Sequence, residues 1–335
     1  MSTPLSILDL VPVSTGTTPA EALRNTVQLA RLAERAGYAR YWFTEHHALA
    51  SVASSAPEIL IAHVASATST LRVGSGGIML PNHAPLKVAE NFLTLEALYP
   101  GRIDLGVGRA PGSNPDASRA LRMVGLEHFS TLMNELIRFG RGGFQQGHPY
   151  GKVKPMPSGI DLPPVWILGS SGASAASAGS AGFGYAFASH FSPEPPAPAF
   201  AAYRENFRPS AQFPKPHAIL VVSAICAETD AEADRLAQSM DLTWLRINRG
   251  EFLPIPSPEE AAAYDWSEYE REQARATRRL SVIGSPATAQ ARIEAMVRET
   301  GADEVMLVTN VHEHAARLRS YELLTQVLAE QRLAA

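Results

Sequence analysis

The regular alternation of short apolar segments with amphipathic helical segments limits the fold of this chain most strongly. The apolar segments are mostly continuous runs, which is typical of parallel strands buried on both faces. Their spacing along the chain matches successive strand–helix units. The eight predicted strands are Leu5 to Leu10, Tyr41 to Phe43, Arg72 to Leu80, Ile103 to Val107, Val165 to Leu168, Gly184 to Ala188, His217 to Ala227 and Glu304 to Thr309.

Eight strand–helix units in 335 residues predict one α/β domain over residues 1 to 335. The favoured architecture is a (β/α)8 TIM barrel, and the alternative is a doubly wound open parallel sheet. One helix is predicted to run without a break from Ser118 to Phe139. Residues from about 241 to 279 are interpreted as an insertion after the seventh strand and as a candidate lid. Within it, Arg249 to Tyr264 contains three prolines and is predicted to be a loop.

The composition excludes several classes of partner. The formal charge is −4, the pI is near 6.2, and basic and acidic residues are interspersed, so no nucleic-acid or membrane partner is expected. No apolar run reaches the length of a membrane span, and Met1 to Leu10 lacks the pattern of a signal peptide. The single cysteine, Cys226, excludes an internal disulfide framework. We therefore expect a cytoplasmic protein.

Polar clusters follow three of the predicted strands, at the point where each strand ends. In a barrel, the carboxyl ends of the strands meet at one face, where active sites lie. These clusters are therefore candidates for one shared site. They are Glu45, His46 and His47 after the second strand, Gly108 and Arg109 after the fourth, and Gly169 to Gly172 after the fifth.

The clusters after the fourth and fifth strands predict a phosphate site. Gly169, Ser170 and Ser171 open a helix whose free backbone N–H groups and dipole favour an anion. Arg109 can bind the same anion with two hydrogen bonds. The alternatives are an ordinary helix cap for the serines and a structural ion pair for the arginine.

Two further features have both a functional and a structural interpretation. Gly76 and Gly77 lie inside the third predicted strand, where glycine marks either close approach by a flat ligand ring or a crowded barrel corner. Glu45, His46 and His47 either serve a ligand or simply satisfy one another at the edge of the sheet. The sequence alone leaves both questions open.

Four segments, in order and spacing, resemble the bacterial luciferase-like flavin monooxygenases, and the resemblance covers essentially the whole chain. It is nearest to the small single-chain, alkanal-monooxygenase-like members. The segments that carry the resemblance are Trp42-Phe43-Thr44-Glu45-His46-His47, Gly76 to Glu90, Pro100 to Arg109, and Ile167-Leu168-Gly169-Ser170-Ser171.

The resemblance implies a barrel that takes reduced FMN from a separate flavin reductase and reacts it with O₂. A flavin C4a-(hydro)peroxide then oxygenates a small organic substrate, and His46 is the implied catalytic imidazole. Glu45 would orient the His46 ring or pair with an arginine at the barrel rim. The isoalloxazine would lie near Gly76 and Gly77, often beside a non-proline cis peptide. The FMN phosphate would lie at Arg109 and at the cluster that begins with Gly169 and continues with Ser170 and Ser171.

The resemblance also implies a homodimer that pairs through helices near the second and third strands. The chain departs from true luciferase at Gly108, where that enzyme has a reactive cysteine, and in the loop Arg249 to Tyr264. Light emission is therefore not expected.

Three rival functions remain. A deazaflavin-dependent hydride-transfer oxidoreductase would use the same barrel, and a non-catalytic flavin-binding barrel would keep the scaffold without turnover. A metal hydrolase using His46, His47 and His83 is the weakest rival, because adjacent histidines on an extended chain point in opposite directions.

Overall fold

Parallel strands form the centre of the molecule. The computed structural model describes residues 3 to 334, with side chains described as far as residue 325, so Met1 and Ser2 of the amino-terminal stretch lie outside it. The strands are β1 (Leu5–Asp9), β2 (Arg40–Phe43), β3 (Arg72–Ser75), β4 (Ile78–Met79), β5 (Ile103–Gly108), β6 (Val165–Gly169), β7 (Gly184–Ala188), β8 (Ala218–Cys226), β9 (Val282–Gly284) and β10 (Glu304–Val308).

The sheet closes on itself. Its order is β10, β1, β2, β3, β5, β6, β7, β8, and β10 pairs in parallel with both β1 and β8. Since this closure leaves the sheet without an open edge, the alternative of a doubly wound open sheet is wrong. The predicted (β/α)8 TIM barrel is confirmed. Strand β4 continues the path of β3 by pairing with β5, and β9 pairs with the last residues of β8.

Helices cover the outside of the barrel and follow the strands in sequence. Many begin with a proline in the first turn, which fits the fixed φ of that residue. They are α1 (Pro19–Ala36), α2 (Pro57–Ala67), α3 (Pro85–Leu98), α4 (Pro115–Ala120), α5 (Phe129–Gly140), α6 (Gly172–Ala181), α7 (Pro196–Asn206), α8 (Asp230–Asn248), α9 (Pro258–Ala263), α10 (Glu268–Arg278), α11 (Pro286–Thr300) and α12 (His314–Ala334). Among the described residues, no helix is both long and apolar enough to cross a membrane.

The third predicted strand is not continuous. Residues Gly76 and Gly77, joined by a cis peptide bond, separate β3 from β4, and a 3₁₀ turn, Leu80–Asn82, follows. A Cβ atom on Gly77 would lie 2.8 Å from the Gly106 carbonyl oxygen, so the segment fits against β5 only because it lacks side chains. The single strand from Arg72 to Leu80 was therefore wrong in its middle.

The continuous helix predicted from Ser118 to Phe139 is also wrong. The chain leaves the helical conformation after α4, and Arg122 has a left-handed φ of 56°. A 3₁₀ turn at Leu126–His128, preceded by Gly125, then leads into α5. Apolar spacing continued across this break, and the sequence therefore resembled one long helix.

The segment interpreted as an insertion consists of the end of α8, then α9 and α10. The predicted loop from Arg249 to Tyr264 is wrong over α9, where the Ser257 hydroxyl caps the helix by accepting a hydrogen bond from the Glu260 N–H. The loop before α9 is docked on the barrel, because the Ile255 N–H donates to the Val13 carbonyl over 2.9 Å. The insertion boundaries and the lid role stay predictions.

A buried ion group fills the amino-terminal end of the barrel. The Arg40 guanidinium donates to Glu304 Oε1 and to Asp104 Oδ2, both over 2.8 Å, and lies 4.7 Å from the Trp166 ring centre. Although burial opposes ionisation, Arg40 lowers the pKa of both carboxyls. This plug closes one end of the barrel, so ligands have to enter from the other end.

Candidate active site

Side chains that point into the barrel can be followed from the core to the open end. Trp42 on β2 and Ala186 on β7 belong to the apolar cluster inside the barrel. Because side chains alternate between the two faces of a strand, Thr44 continues the inward series of β2, and His46 follows two residues later. His190 lies in the turn directly after β7. The two imidazoles therefore reach the same mouth from different walls.

His46 lies at this mouth and is partly buried. Burial lowers its pKa below the usual value, against the opposing effects of the Gly112 backbone and of the Glu45 carboxylate. The ring is therefore neutral at neutral pH and has a nitrogen available to accept a proton. This state suits the predicted catalytic role of His46, which stays a prediction.

Glu45 is fully buried and accepts several hydrogen bonds. The donors are the Met79 N–H at 2.8 Å, the Asn82 amide at 3.2 Å, and the Nε2 atoms of His47 at 3.0 Å and of His83 at 2.9 Å. Burial alone would raise the pKa of the carboxyl, but these hydrogen bonds lower it to about 2. Glu45 therefore remains ionised and ties the loop after β2 to the segment after β4.

These contacts change the expected role of Glu45. Its hydrogen bonds go neither to the His46 ring nor to an arginine, so both of the alternative contacts predicted for Glu45 are wrong. The alternative that Glu45 and His47 satisfy each other is correct for that pair. A catalytic role for Glu45 stays a prediction, and the geometry indicates that it positions the loop carrying His46.

The Gly76–Gly77 peptide is cis, as the resemblance implies. A Cβ on Gly76 would lie 2.5 Å from Leu8 Cδ1 and 3.1 Å from a Trp42 ring carbon. Protein neighbours are therefore sufficient to explain both glycines, as the crowded-corner interpretation held. Contact between this peptide and a flavin ring stays a prediction.

Arg109 and the start of α6 are neighbours at the mouth. Gly108 and Leu168 are partners in the register of β5 and β6, so Arg109 and Gly169 follow adjacent strand positions. Arg109 is exposed and forms no salt bridge within the described chain, so the ion-pair alternative is not observed. Ser171 caps α6, and its hydroxyl accepts from the Ser174 N–H over 3.3 Å.

This arrangement fits a phosphate group. Arg109 supplies a free cation, and Ser170, partly buried, precedes the amino terminus of α6. Gly169 is required because a side chain there would overlap the Ser174 hydroxyl. The assignment of Gly169, Ser170, Ser171 and Arg109 to a cofactor phosphate stays a prediction.

Besides Asn82 Oδ1, next to Glu45, three buried polar atoms at the mouth have no hydrogen-bond partner among the described residues. They are Thr44 Oγ1 after β2, His190 Nδ1 after β7 and Asn310 Oδ1 after β10. Buried polar atoms are usually paired, so three unpaired atoms at one end of the barrel indicate a place for a polar ligand. The residues present thus fit a flavin with an organic substrate beside it.

His190 was missed by the sequence analysis. It lies two residues beyond the predicted sixth strand, Gly184 to Ala188, as Glu45 lies two residues beyond the predicted second strand. The signal was therefore present, but a single histidine followed by an aromatic residue and prolines did not stand out as a cluster.

The weakest rival needed three histidines around a metal ion. In the described structure, His47 and His83 both direct Nε2 to Glu45, within 3.0 Å and 2.9 Å. Among all the residues that the structure describes, no group of three or more His, Cys, Asp or Glu side chains is arranged to hold a metal.

Comparison with known proteins places the chain in a family. Residues 3–304 match the family model described as luciferase-like monooxygenase. A luciferase-like monooxygenase of Escherichia coli (strain K12) is 42% identical over 328 residues, covering 97% of each chain. The N-acetyl-S-alkylcysteine monooxygenase of Bacillus subtilis (strain 168) is 35% identical over 265 residues, covering 78% of each.

Solved structures agree in fold. Apo-MsnO8 superimposes with a TM-score of 0.87 at 37% identity, covering 98% of both chains. The oxygenating constituent of 3,6-diketocamphane monooxygenase from Pseudomonas putida, in complex with FMN, has a TM-score of 0.72 at 18% identity, covering 98% of each. An F420-dependent secondary alcohol dehydrogenase has a TM-score of 0.66 at 16% identity, covering 98% of this chain and 99% of that one. The chain therefore belongs to the luciferase-like monooxygenase family of flavin-dependent enzymes.

Proposed function

We propose that this protein is an FMN-dependent monooxygenase that receives reduced FMN from a separate flavin reductase and oxygenates a small organic substrate with O₂. The observation that carries the choice of FMN is the free Arg109 beside the amino terminus of α6, which together suit a phosphate monoester. The FMN complex of a protein with the same fold supports this choice.

The residues at the mouth have separable tasks. Arg109 and Ser170 hold the phosphate, and Gly76 with Gly77 gives a flat surface for the ring system. When bound, reduced FMN supplies the two electrons with which one oxygen atom of O₂ enters the substrate and the other leaves as water. His46, neutral and partly buried, accepts or returns a proton at its free ring nitrogen.

Exclusion of water is a further task of the protein. Leu10 and Leu168 pack against the apolar cluster inside the barrel and continue it towards the mouth. The loop containing Ile255 covers the neighbouring loop after β1. A dry mouth prevents proton leakage, which would waste reduced flavin and release hydrogen peroxide.

The test is anaerobic titration with reduced FMN, followed by rapid mixing with oxygenated buffer. We expect tight binding of reduced FMN, and a flavin absorbance distinct from both the reduced and the oxidised cofactor that outlasts the reaction of free FMN. Reduced deazaflavin is titrated in parallel. Binding of the deazaflavin with no binding of reduced FMN would replace this proposal with the hydride-transfer alternative, and binding of FMN without any turnover would favour a non-catalytic barrel.

A thioether is the first substrate class to screen, because a relative at 35% identity is named as an N-acetyl-S-alkylcysteine monooxygenase. Product formation is followed by mass spectrometry, with ¹⁸O₂ to trace the transferred atom. Incorporation of one labelled atom supports a monooxygenase, whereas unlabelled product contradicts it.

We also propose that the protein is a cytoplasmic homodimer. Ile59 near the start of α2 and Leu98 at the end of α3 are 66% and 61% exposed, and a second copy packed along both helices would cover them. Analytical ultracentrifugation should give a dimer for the parent and a monomer for Ile59→Glu with Leu98→Glu. Cell fractionation tests the compartment, which the single buried Cys226 supports.

A further inference from the structure

His190 and His46 follow strands on opposite walls of the barrel mouth. Going around the closed sheet, β7 is four strands from β2 in either direction, so the two strands lie on opposite walls. His190 lies in the turn that follows β7, beyond Ala186, and His46 follows β2, beyond Trp42. His46 lies near enough to lower the pKa of His190, after the larger effect of burial.

His190 is held as a neutral ring with an unused nitrogen. Its Nδ1 is buried and has no hydrogen-bond partner among the described residues. The ring packs edge-on against Phe191, with 4.6 Å between the centres. Burial, and secondly His46, lower its pKa to about 3. At pH 7 such a ring is neutral, so it offers no positive charge to an anionic group.

The surroundings of His190 point to the same chemistry. Thr44 and Asn310 each present one further unpaired buried oxygen at the mouth, and both side chains are uncharged. Leu10 and Leu168 contribute apolar surface. The free cation, Arg109, belongs to the phosphate region on β5. A charged group brought to His190 would lose its hydration without gaining a counter-charge.

We propose that His190 is a substrate-binding residue whose Nδ1 hydrogen-bonds an uncharged polar group of the organic substrate, on the wall opposite His46. This inference rests on the proposed function, since it places the substrate between the flavin region of β3 to β6 and the wall formed by β7, β8 and β10. An amide, alcohol or carbonyl is suitable at this position, and a carboxylate is not.

The test compares octanamide with octanoate by calorimetric titration of the full-length protein saturated with reduced FMN. The two probes share an apolar tail, and the amide both donates and accepts, so it suits either tautomer of His190. We expect octanamide to bind the parent protein at least about ten-fold more tightly than octanoate. The His190→Leu variant should lose about ten-fold in octanamide affinity, and His190→Gln should retain most of it.

The controls separate this inference from the proposed function. His63→Leu, at an exposed position on α2, should bind octanamide like the parent. Reduced FMN should bind His190→Leu as tightly as the parent, and circular dichroism should show the same thermal transition for both.

Failure of the parent to bind reduced FMN would overturn the proposed function. With FMN binding intact, three results would each overturn the role of His190. These are equal affinity for octanamide and octanoate, no binding of octanamide to the parent, or unchanged octanamide affinity in His190→Leu. Parallel loss of FMN and octanamide affinity would make His190 a flavin contact and would also overturn the inference.

Discussion

At the scale of single residues, Glu45 shows how a fully buried carboxylate can hold two loops of the mouth together. It accepts from the Met79 backbone and from the side chains of Asn82, His47 and His83. Loss of the negative charge would leave these donors poorly matched in a buried place. Glu45 is thus placed to act on His46 through the backbone that both share.

We expect Glu45→Gln to lower the free energy of unfolding by about 2 to 4 kcal/mol near pH 6. The pKa of Glu45 is lowered from 4.5 to about 2, so its contribution is present above pH 4.5 and is lost as the pH falls towards 2. The pKa of His83 is raised from 6.5, so its contribution is complete below pH 6.5 and is lost as the pH rises through the folded value.

The effect of Glu45→Gln should therefore be largest between pH 4.5 and 6.5. Urea unfolding of parent and variant at a series of pH values measures it. The control is Glu205→Gln, at an exposed position, which should change stability by less than about 0.5 kcal/mol. A destabilisation that does not vary with pH would contradict the ionised carboxylate.

Arg109→Ala should lower the affinity for reduced FMN about ten- to a hundred-fold, because the phosphate loses a charge-assisted hydrogen bond. Riboflavin has the same ring system and no phosphate, so its affinity should change less than about three-fold. Fluorescence titration of both ligands on both proteins measures the difference. Equal weakening of FMN and riboflavin would remove Arg109 from the phosphate site.

At the scale of secondary-structure elements, the loop before α9 is attached to the barrel through a short stretch of pairing. The Ile255 N–H donates to the Val13 carbonyl and the Thr15 N–H donates to the Ile255 carbonyl, both over 2.9 Å. The Ile255 side chain is 3% exposed. The ring of His312, after β10, also contacts the Thr15 carbonyl at 3.0 Å.

We expect Ile255→Ala to loosen this attachment, because a buried side chain of this size contributes about 2 kcal/mol or more. Amide hydrogen exchange at Thr15 should accelerate about thirty-fold if the loop opens independently of the barrel. Leu253→Ala is the matched control, since Leu253 is 47% exposed in the same loop. Equal exchange rates in Ile255→Ala and the parent would show that the loop does not open as a unit.

The elements differ in how far the sequence could predict them. The limits of α1 were readable because Thr18 and Glu21 form a capping box and Gly37 ends the helix in a left-handed conformation. The interruption of the third strand could not be read from the sequence, because its cause is the approach of Gly106, which is distant in sequence from Gly77. Local patterns record caps and periodicity, whereas close approach between strands is visible only in the assembled barrel.

The site shows the same division. Its position followed from the polar residues at strand ends, which needed only the order of the strands. The partners of Glu45 did not follow, because His83 and Met79 reach it across the gap between two strands. His190 is the one ionisable residue at the end of its strand, so it did not stand out as a cluster.

At the scale of the whole molecule, the ion group around Arg40 connects distant parts of the barrel. Arg40 on β2 binds Asp104 on β5 and Glu304 on β10, and Trp42 donates to Asp104 over 3.1 Å. These carboxylates are almost fully buried. Such a group stabilises the barrel only while it is complete. Each buried charge has lost its hydration, and only the attraction of its partners offsets that cost.

We expect Arg40→Met to lower the free energy of unfolding by about 3 to 5 kcal/mol, since it leaves the buried Asp104 carboxylate with Arg72, and the buried Glu304 carboxylate with His217, as their remaining ionisable partners. Guanidinium chloride unfolding at pH 7 measures the loss, and low pH should reduce it by protonating the carboxylates. Arg235→Met is the control, because Arg235 pairs with Glu232 at the surface and should contribute less than about 1 kcal/mol. Similar losses in both variants would contradict the role given to the buried group.

The closure of the sheet by β10 has a consequence for synthesis on the ribosome. Leu5 pairs with Val305, and Val305 pairs with Leu220. The last strand to be made, β10, therefore fills the gap between β1 and β8. Until β10 emerges from the ribosome, the hydrogen-bonding edges of β1 and β8 stay unpaired, and Arg40 lacks the Glu304 carboxylate. Translation that stops short of Glu304 would therefore leave a chain with unpaired edges, which is the form of this protein that chaperones and proteases would encounter.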